Sequence, residues 1–145
     1  MNEAISFFIP YEVLPKQSMV AGRNIHTGQP LCRTRKRTRD NAKALTMFAA
    51  AHRPDVPLTG ALRLTLVFMY PWRKAEPLKN RAKGKRPKDT LPDLENLTKQ
   101  LVDVLERTGF FANDGAISSM RLDKFWTSNV GVSVLLEMDD RWLTN

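Results

Sequence analysis

Carboxylates and one lysine cluster in the second half of this 145-residue chain. Asp93 and Glu95 are separated by one residue, Lys99 and Asp103 follow at steps of four, and Asp114 comes after a glycine. Three carboxylates without a histidine form a donor set that suits a hard ion such as Mg²⁺. Such an ion activates water at a phosphate, and a neighbouring lysine stabilises the developing charge. The pattern therefore predicts a metal site that hydrolyses phosphodiester bonds.

The same residues also have structural explanations. The spacing of Glu95, Lys99 and Asp103 is typical of ion pairs on a helix surface, each worth only about 0.2–0.5 kcal/mol. Thr90 or Asp93 is a possible helix cap, and Asp114 lies in the turn sequence NDG. What favours a functional site is the combination, because negative charge is placed at both ends of one predicted helix.

A helix and the strand that follows it must position these side chains. An apolar stripe with helical period is formed by Leu94, Leu97, Leu101, Val104 and Leu105. With Gly109 as the residue that ends it, the helix is predicted from about Asp93 to Thr108. A strand from Ala116 to Trp126 can then return along this helix and bring Lys124 near Lys99.

Apolar segments elsewhere predict the remaining scaffold. Strands are expected at Ile5–Ile9, at Ala61–Tyr70 in the centre of a sheet, and at Val130–Met138. A helix is predicted from about Thr38 to His52, and a loop or loose hairpin from Val20 to Pro30. The length suits one domain over residues 1–145.

The charge of the chain favours a polyanionic partner. Its 23 Lys and Arg residues exceed its 15 Asp and Glu residues, giving a net charge of +8. Because the positive charges are clustered, binding to a phosphate backbone would release counterions. The alternative is a generically basic, soluble surface.

Two basic segments carry most of this excess. Residues 33–39 read RTRKRTR, and residues 73–88 contain eight basic side chains against one acid, Glu76. The prolines and glycine of the second segment predict an irregular basic loop at about 73–89 that orders on nucleic acid. The predicted DNA-binding residues are Lys16, Arg33, Arg35, Lys36, Arg37, Arg39, Arg73, Lys74, Lys79, Arg81, Lys83, Lys85, Arg86 and Lys88.

Cysteine content and hydropathy argue against a disulfide-bonded protein and against a membrane-spanning protein. Cys32 is the single cysteine, so no disulfide can form within the chain, which fits a reducing cytoplasm. No stretch reaches the ~18 apolar residues of a membrane helix. We therefore expect a cytoplasmic protein without a membrane partner.

The run PDLENLTKQLVDVLERTGFFANDGAI, followed by Lys124, resembles the RusA family of Holliday junction resolvases. These are crossover junction endodeoxyribonucleases, common in prophages. Their pattern is roughly P-D-x-D-N-L-x-K, an aspartate within the helix, D-D-x-Q/I and a later lysine. The matching residues are Asp93, Asn96, Leu97, Lys99, Asp103, Asp114 and Lys124.

This resemblance implies a fold, a cofactor and a substrate. The fold would be a small homodimeric α+β domain, with two main helices packed on a mixed sheet. The activity would be paired incision of four-way DNA junctions in recombination and repair, dependent on Mg²⁺ or on Mn²⁺ in its place. Phe110, Phe111, Trp126 and Trp142 are candidates for an exposed dimer interface.

The resemblance also assigns roles to residues. Asp93, Glu95 and Asp114 would be metal-binding and catalytic carboxylates, and Lys99 a catalytic lysine. Further site residues would be Asp103, Asn113 and Lys124. Two positions depart from the pattern: Glu95 replaces an aspartate, and Asn113 replaces the first aspartate of the D-D pair.

Two other functions remain open from the residues. One is a non-catalytic basic DNA-binding protein in which the acidic helix is purely structural. The other is a nuclease for other branched or single-stranded nucleic acids. Metal-dependent strand cleavage separates the first from a nuclease, and competition between substrates separates the second from a junction resolvase.

Overall fold

A computed structural model describes residues 4–15, 20–33 and 36–143, apart from the side chains of Val20 and Arg33. Among the predicted DNA-binding residues, Lys16 and Arg35 lie outside the described residues, as does the side chain of Arg33.

The strands form one mixed sheet and one separate hairpin. They are β1 (Ala4–Ile9), β2 (Val20–Arg23), β3 (Pro30–Arg33), β4 (Leu62–Tyr70), β5 (Lys85–Pro87), β6 (Ile117–Thr127) and β7 (Gly131–Met138). The sheet has the order β1-β7-β4-β6-β5, in which β4 and β6 are parallel and the other pairs antiparallel. β2 and β3 pair with each other, which confirms the loose hairpin. The central position of β4 is also confirmed.

One face of β4 builds the core. Its buried residues alternate with partly exposed ones along the whole strand, because side chains of a strand point to opposite faces. The buried set is Leu62, Leu64, Leu66, Phe68 and Tyr70. These side chains join the apolar residues of two helices in one core cluster. The predicted α+β fold with two main helices is therefore confirmed.

The helices are α1 (Lys36–Ala50), α2 (Leu78–Arg81) and α3 (Leu94–Thr108). Two short 3₁₀ turns follow, at Asp114–Ala116 and Arg141–Leu143. Within the described ranges, no helix is long and apolar enough to span a membrane.

The ends of α3 follow local sequence signals. The Asp93 side chain caps the helix by accepting a hydrogen bond from the Asn96 N–H at 2.8 Å. Gly109 ends it with φ at 100°, a left-handed conformation that glycine adopts without steric cost. Leu97, Leu101 and the rest of the predicted stripe are buried, except that Leu94 is only partly buried.

A buried polar contact ties α1 to α3. Asn41 donates through Nδ2 to Oε1 of Gln100 at 2.5 Å, and Gln100 donates through Nε2 to the carbonyl of Leu14 at 2.7 Å. These bonds satisfy two buried amides that would otherwise destabilise the core. They also link the two helices through the interior of the domain.

The prediction of irregular structure between Arg73 and Lys88 is wrong. This segment contains α2 and β5, and β5 is the edge strand of the sheet next to β6. Pro77 immediately precedes α2 and Pro87 ends β5, two positions where the missing N–H of proline is tolerated. The predicted basic loop at 73–89 is therefore largely a folded part of the domain.

The aromatic dimer interface also needs correction. Phe110, Phe111 and Trp126 are buried in the core, so they cannot form an exposed interface. The two phenylalanines are core residues instead. Trp142 differs from them, since 78% of its surface is exposed.

Candidate active site and its basic surroundings

A cleft of about 1070 Å³ lies between α1 and α3 and extends to the turn after α3. Four predicted site residues line it, namely Glu95, Lys99, Asp103 and Asp114. Its apolar lining includes Met47, Val102, Met120 and Leu122. Arg39 and Lys43 on α1 also line the cleft, as do Lys99 and Arg107 on α3. The cleft thus combines carboxylates, cations and an apolar floor.

The ion pairs on α3 are exposed and weak. Glu95 and Lys99 are 3.3 Å apart, with 81% and 73% of their side chains exposed. Asp103 pairs with Arg107 at 3.1 Å rather than with Lys99. Exposed pairs of this kind contribute roughly 0.2–1 kcal/mol. The ion pair between Glu95 and Lys99 can therefore break at little cost in free energy, which lets either side chain contact a ligand.

The turn after α3 orients Asp114. The Asp114 backbone N–H donates to Oε1 of Glu106 at 3.0 Å, and Asn113 Oδ1 accepts from the Gly115 N–H at 2.7 Å. Asn113 therefore caps this turn, a role that an aspartate could fill equally well. Glu106 was not predicted, because its contribution depends on the return of the chain after Gly109.

The carboxylates do not form a metal centre in this arrangement. Among the described residues, no three His, Cys, Asp or Glu side chains lie close enough to hold an ion. Asp93 caps α3 and is absent from the cleft lining, and helix residues two apart do not face each other. The donor chemistry suits Mg²⁺, but the observed geometry does not, so the ligand assignment stays a prediction.

Glu76 organises the basic segment. It is buried and accepts hydrogen bonds from Arg73 Nε at 2.8 Å, from Arg86 Nη1 at 3.0 Å and from Asn80 Nδ2 at 3.2 Å. The bond from Arg73 is the main cause that holds the pKa of Glu76 below its ordinary value. The sequence already set Glu76 apart as the one acid beside eight basic residues in the segment 73–88. The burial of the Glu76 side chain was not predicted.

The Trp126 ring contacts Arg73 and Arg86, two of these cations, and also Lys88. The guanidinium carbons of Arg73 and Arg86 lie 5.1 and 5.3 Å from the Trp126 ring centre, and Lys88 Nζ lies at 4.9 Å. Such cation–π contacts fix charged groups in place. The exposed lysines of the segment are Lys74, Lys79, Lys83 and Lys85, and Arg81 is partly buried. These cations form a surface that a phosphate backbone can approach.

Lys124 lies at the turn before α3. Its Nζ donates to the carbonyls of Thr90 at 2.6 Å and Pro92 at 2.7 Å, which directly precede Asp93. Lys124 thereby fixes the Thr90–Pro92 segment, which leads into Asp93. Lys99 lies about two helical turns further along α3 than this contact.

The first turn of α1 carries the end of the basic segment 33–39. Lys36, Arg37 and Arg39 are exposed there, and the turn contains no acidic residue. Cations at this end oppose the helix dipole. An external anion would compensate them.

The sequence matches the family model described as endodeoxyribonuclease RusA over residues 10–137. The matched region contains the cleft, all of α3 and the basic segment around Glu76. A comparison with curated proteins gave no match. Because the family model covers most of the chain, the protein belongs to the RusA family of endodeoxyribonucleases.

Proposed function

We propose that this protein is a Mg²⁺-dependent, structure-selective endonuclease that resolves four-way DNA junctions by paired incisions in recombination and repair. The observation that carries the proposal is a cleft in which four carboxylates lie beside four basic residues, in a domain of net charge +8. A protein that only binds phosphates gains nothing from carboxylates facing its ligand, because they repel it. Membership of an endodeoxyribonuclease family supports a catalytic role for this cleft.

The proposed roles of the residues follow the family pattern, and the exposure of these side chains is compatible with them. Asp93, Glu95 and Asp114 are exposed carboxylates that are not gathered around one point in this structure, and the proposal requires their side chains to converge on the cation when it binds. A divalent cation, when bound, supplies charge neutralisation at the phosphate and a more acidic water. Lys99 is the proposed catalytic lysine, since its weak pair with Glu95 leaves it free to stabilise negative charge.

Cleavage of a synthetic junction tests this function. Labelled four-way DNA and linear duplex of the same arm sequence are incubated with the protein in Mg²⁺, in Mn²⁺ or in EDTA. We expect symmetric nicks in the junction with either metal and none in EDTA. Equal cutting of the linear duplex, or undiminished cutting in EDTA, would contradict the proposal. Binding without any cleavage would instead support a non-catalytic DNA-binding protein.

We also infer that the active form is a homodimer, because two symmetric incisions require two active sites. Light scattering under cleavage conditions should give a mass twice the 16.5 kDa of one chain. A mass of one chain at concentrations that support paired cleavage would rule this out.

A further inference from the structure

We propose that Lys88 and Lys124 together bind one phosphate group of the DNA backbone beside Asp93. This inference rests on the proposed function and deepens it, because it names a specific contact with the substrate. It concerns binding alone and is therefore tested separately from cleavage.

Backbone pairing places the two lysines opposite each other. β5 pairs with β6 so that Arg86 faces Trp126 and Pro87 faces Phe125. The ladder continues one residue further, where the Lys88 N–H donates to the Lys124 carbonyl at 2.9 Å. Residues directly opposite in adjacent strands project their side chains to the same face of the sheet. The register thus brings two positive charges together.

The two ammonium groups converge on one turn. Lys88 Nζ donates to the Thr90 hydroxyl at 2.7 Å, and Lys124 Nζ donates to the Thr90 and Pro92 carbonyls. Each ammonium group has three N–H donors, so both retain at least one for a ligand. A phosphate oxygen lying between them would accept from both lysines.

No carboxylate within the described residues forms an ion pair with either lysine. Both are partly buried, and like charges facing each other in a sheet are destabilising. Burial, and then the charge of Lys124, lowers the pKa of Lys88, and the smaller opposite effects of Asp89 and Glu12 do not cancel this shift. A bound anion would relieve this repulsion between the two lysines, and this favours the binding of a phosphate group.

Aromatic rings make the site rigid before binding. Lys88 Nζ lies 4.9 Å from the Trp126 ring centre and 5.4 Å from that of Tyr70. Tyr70 is held by a 2.6 Å hydrogen bond from its hydroxyl to the Val13 carbonyl. A lysine fixed in this way loses less conformational entropy on binding than a free surface lysine.

The location connects the phosphate to the candidate active site. Thr90 and Pro92, which the lysines contact, lie immediately before Asp93 and the start of α3. The helix dipole also favours an anion at this end. A backbone phosphate held here would place the adjacent part of the strand against Asp93.

Salt-dependent binding tests the pair without requiring cleavage. We compare Lys88→Gln, Lys124→Gln and Lys124→Arg in an Asp93→Asn background, with Arg53→Gln as an exposed charge-matched control. The two glutamine variants should bind four-way DNA about tenfold more weakly, and each should reduce the slope of log affinity against log salt by about one. Lys124→Arg should keep the slope. If the glutamine variants match Arg53→Gln in slope and affinity, the proposal fails.

Side-chain NMR identifies the ligand and controls for misfolding. In folded Asp93→Asn protein, the methylene signals next to Nζ of Lys88 and Lys124 should shift on addition of inorganic phosphate, and at lower concentration with junction DNA. Shifts with phosphate but not with DNA would overturn the assignment to the DNA backbone. Cleavage by the wild type in the absence of these shifts would refute the pair while leaving the proposed function intact.

Discussion

Asp93→Asn and Asp114→Asn should each reduce junction cleavage by about 100- to 1000-fold, while affinity for the junction changes little. Asparagine keeps the size and hydrogen-bonding oxygen of the side chain but removes the charge that would hold a cation. It also caps helices as well as aspartate does, so the start of α3 should persist in Asp93→Asn. Asp114 is exposed, so its substitution should leave the fold unchanged.

Single-turnover cleavage and equilibrium binding are measured on the same junction for both variants. Asp55→Asn is the matched control, because it removes one exposed carboxylate far along the sequence from α3. Its rate should equal that of the wild type. If Asp93→Asn and Asp114→Asn also cut at the wild-type rate, the assigned site is wrong.

Glu76→Gln should lower the melting temperature substantially, on the order of 10 °C, because it breaks a buried ionic cluster. The amide cannot offset the charges of Arg73 and Arg86, and it replaces one acceptor oxygen by a donor that faces them. Thermal unfolding followed by circular dichroism measures the effect. Glu137→Gln on β7 is the control, since no described residue forms an ion pair with Glu137. Equal melting temperatures for the two variants would contradict the role of Glu76.

The same cluster predicts a pH dependence with a defined sign. The hydrogen bond from Arg73 lowers the pKa of Glu76 from 4.5, so the ionised carboxylate stabilises the folded state at pH values above 4.5. This contribution is lost as the pH falls through the lowered pKa. Urea unfolding between pH 3 and 7 should therefore show the wild type and Glu76→Gln approaching each other at the acidic end. A constant difference across this range would exclude Glu76 as the titrating group.

Local sequence determined the elements that carry the candidate chemistry. The leucine stripe, Asp93 and Gly109 predicted α3 almost to its observed ends, because capping and helical periodicity act within a few residues. The apolar alternation of β4 likewise predicted a central strand. The family pattern could be recognised for the same reason, since most of its residues are closely spaced on α3 and in the following turn, with Lys124 on β6.

Only the tertiary structure decided which distant residues meet. The pairing of β5 with β6 placed Lys88 opposite Lys124. The buried Glu76 side chain binds Arg73 and Arg86 in the segment that was predicted as an irregular basic loop. The packing of α1 against α3 formed the cleft, but it left Asp93 outside the cleft lining. Strand register and helix packing depend on contacts between residues far apart in the chain, so local propensity and spacing do not specify them.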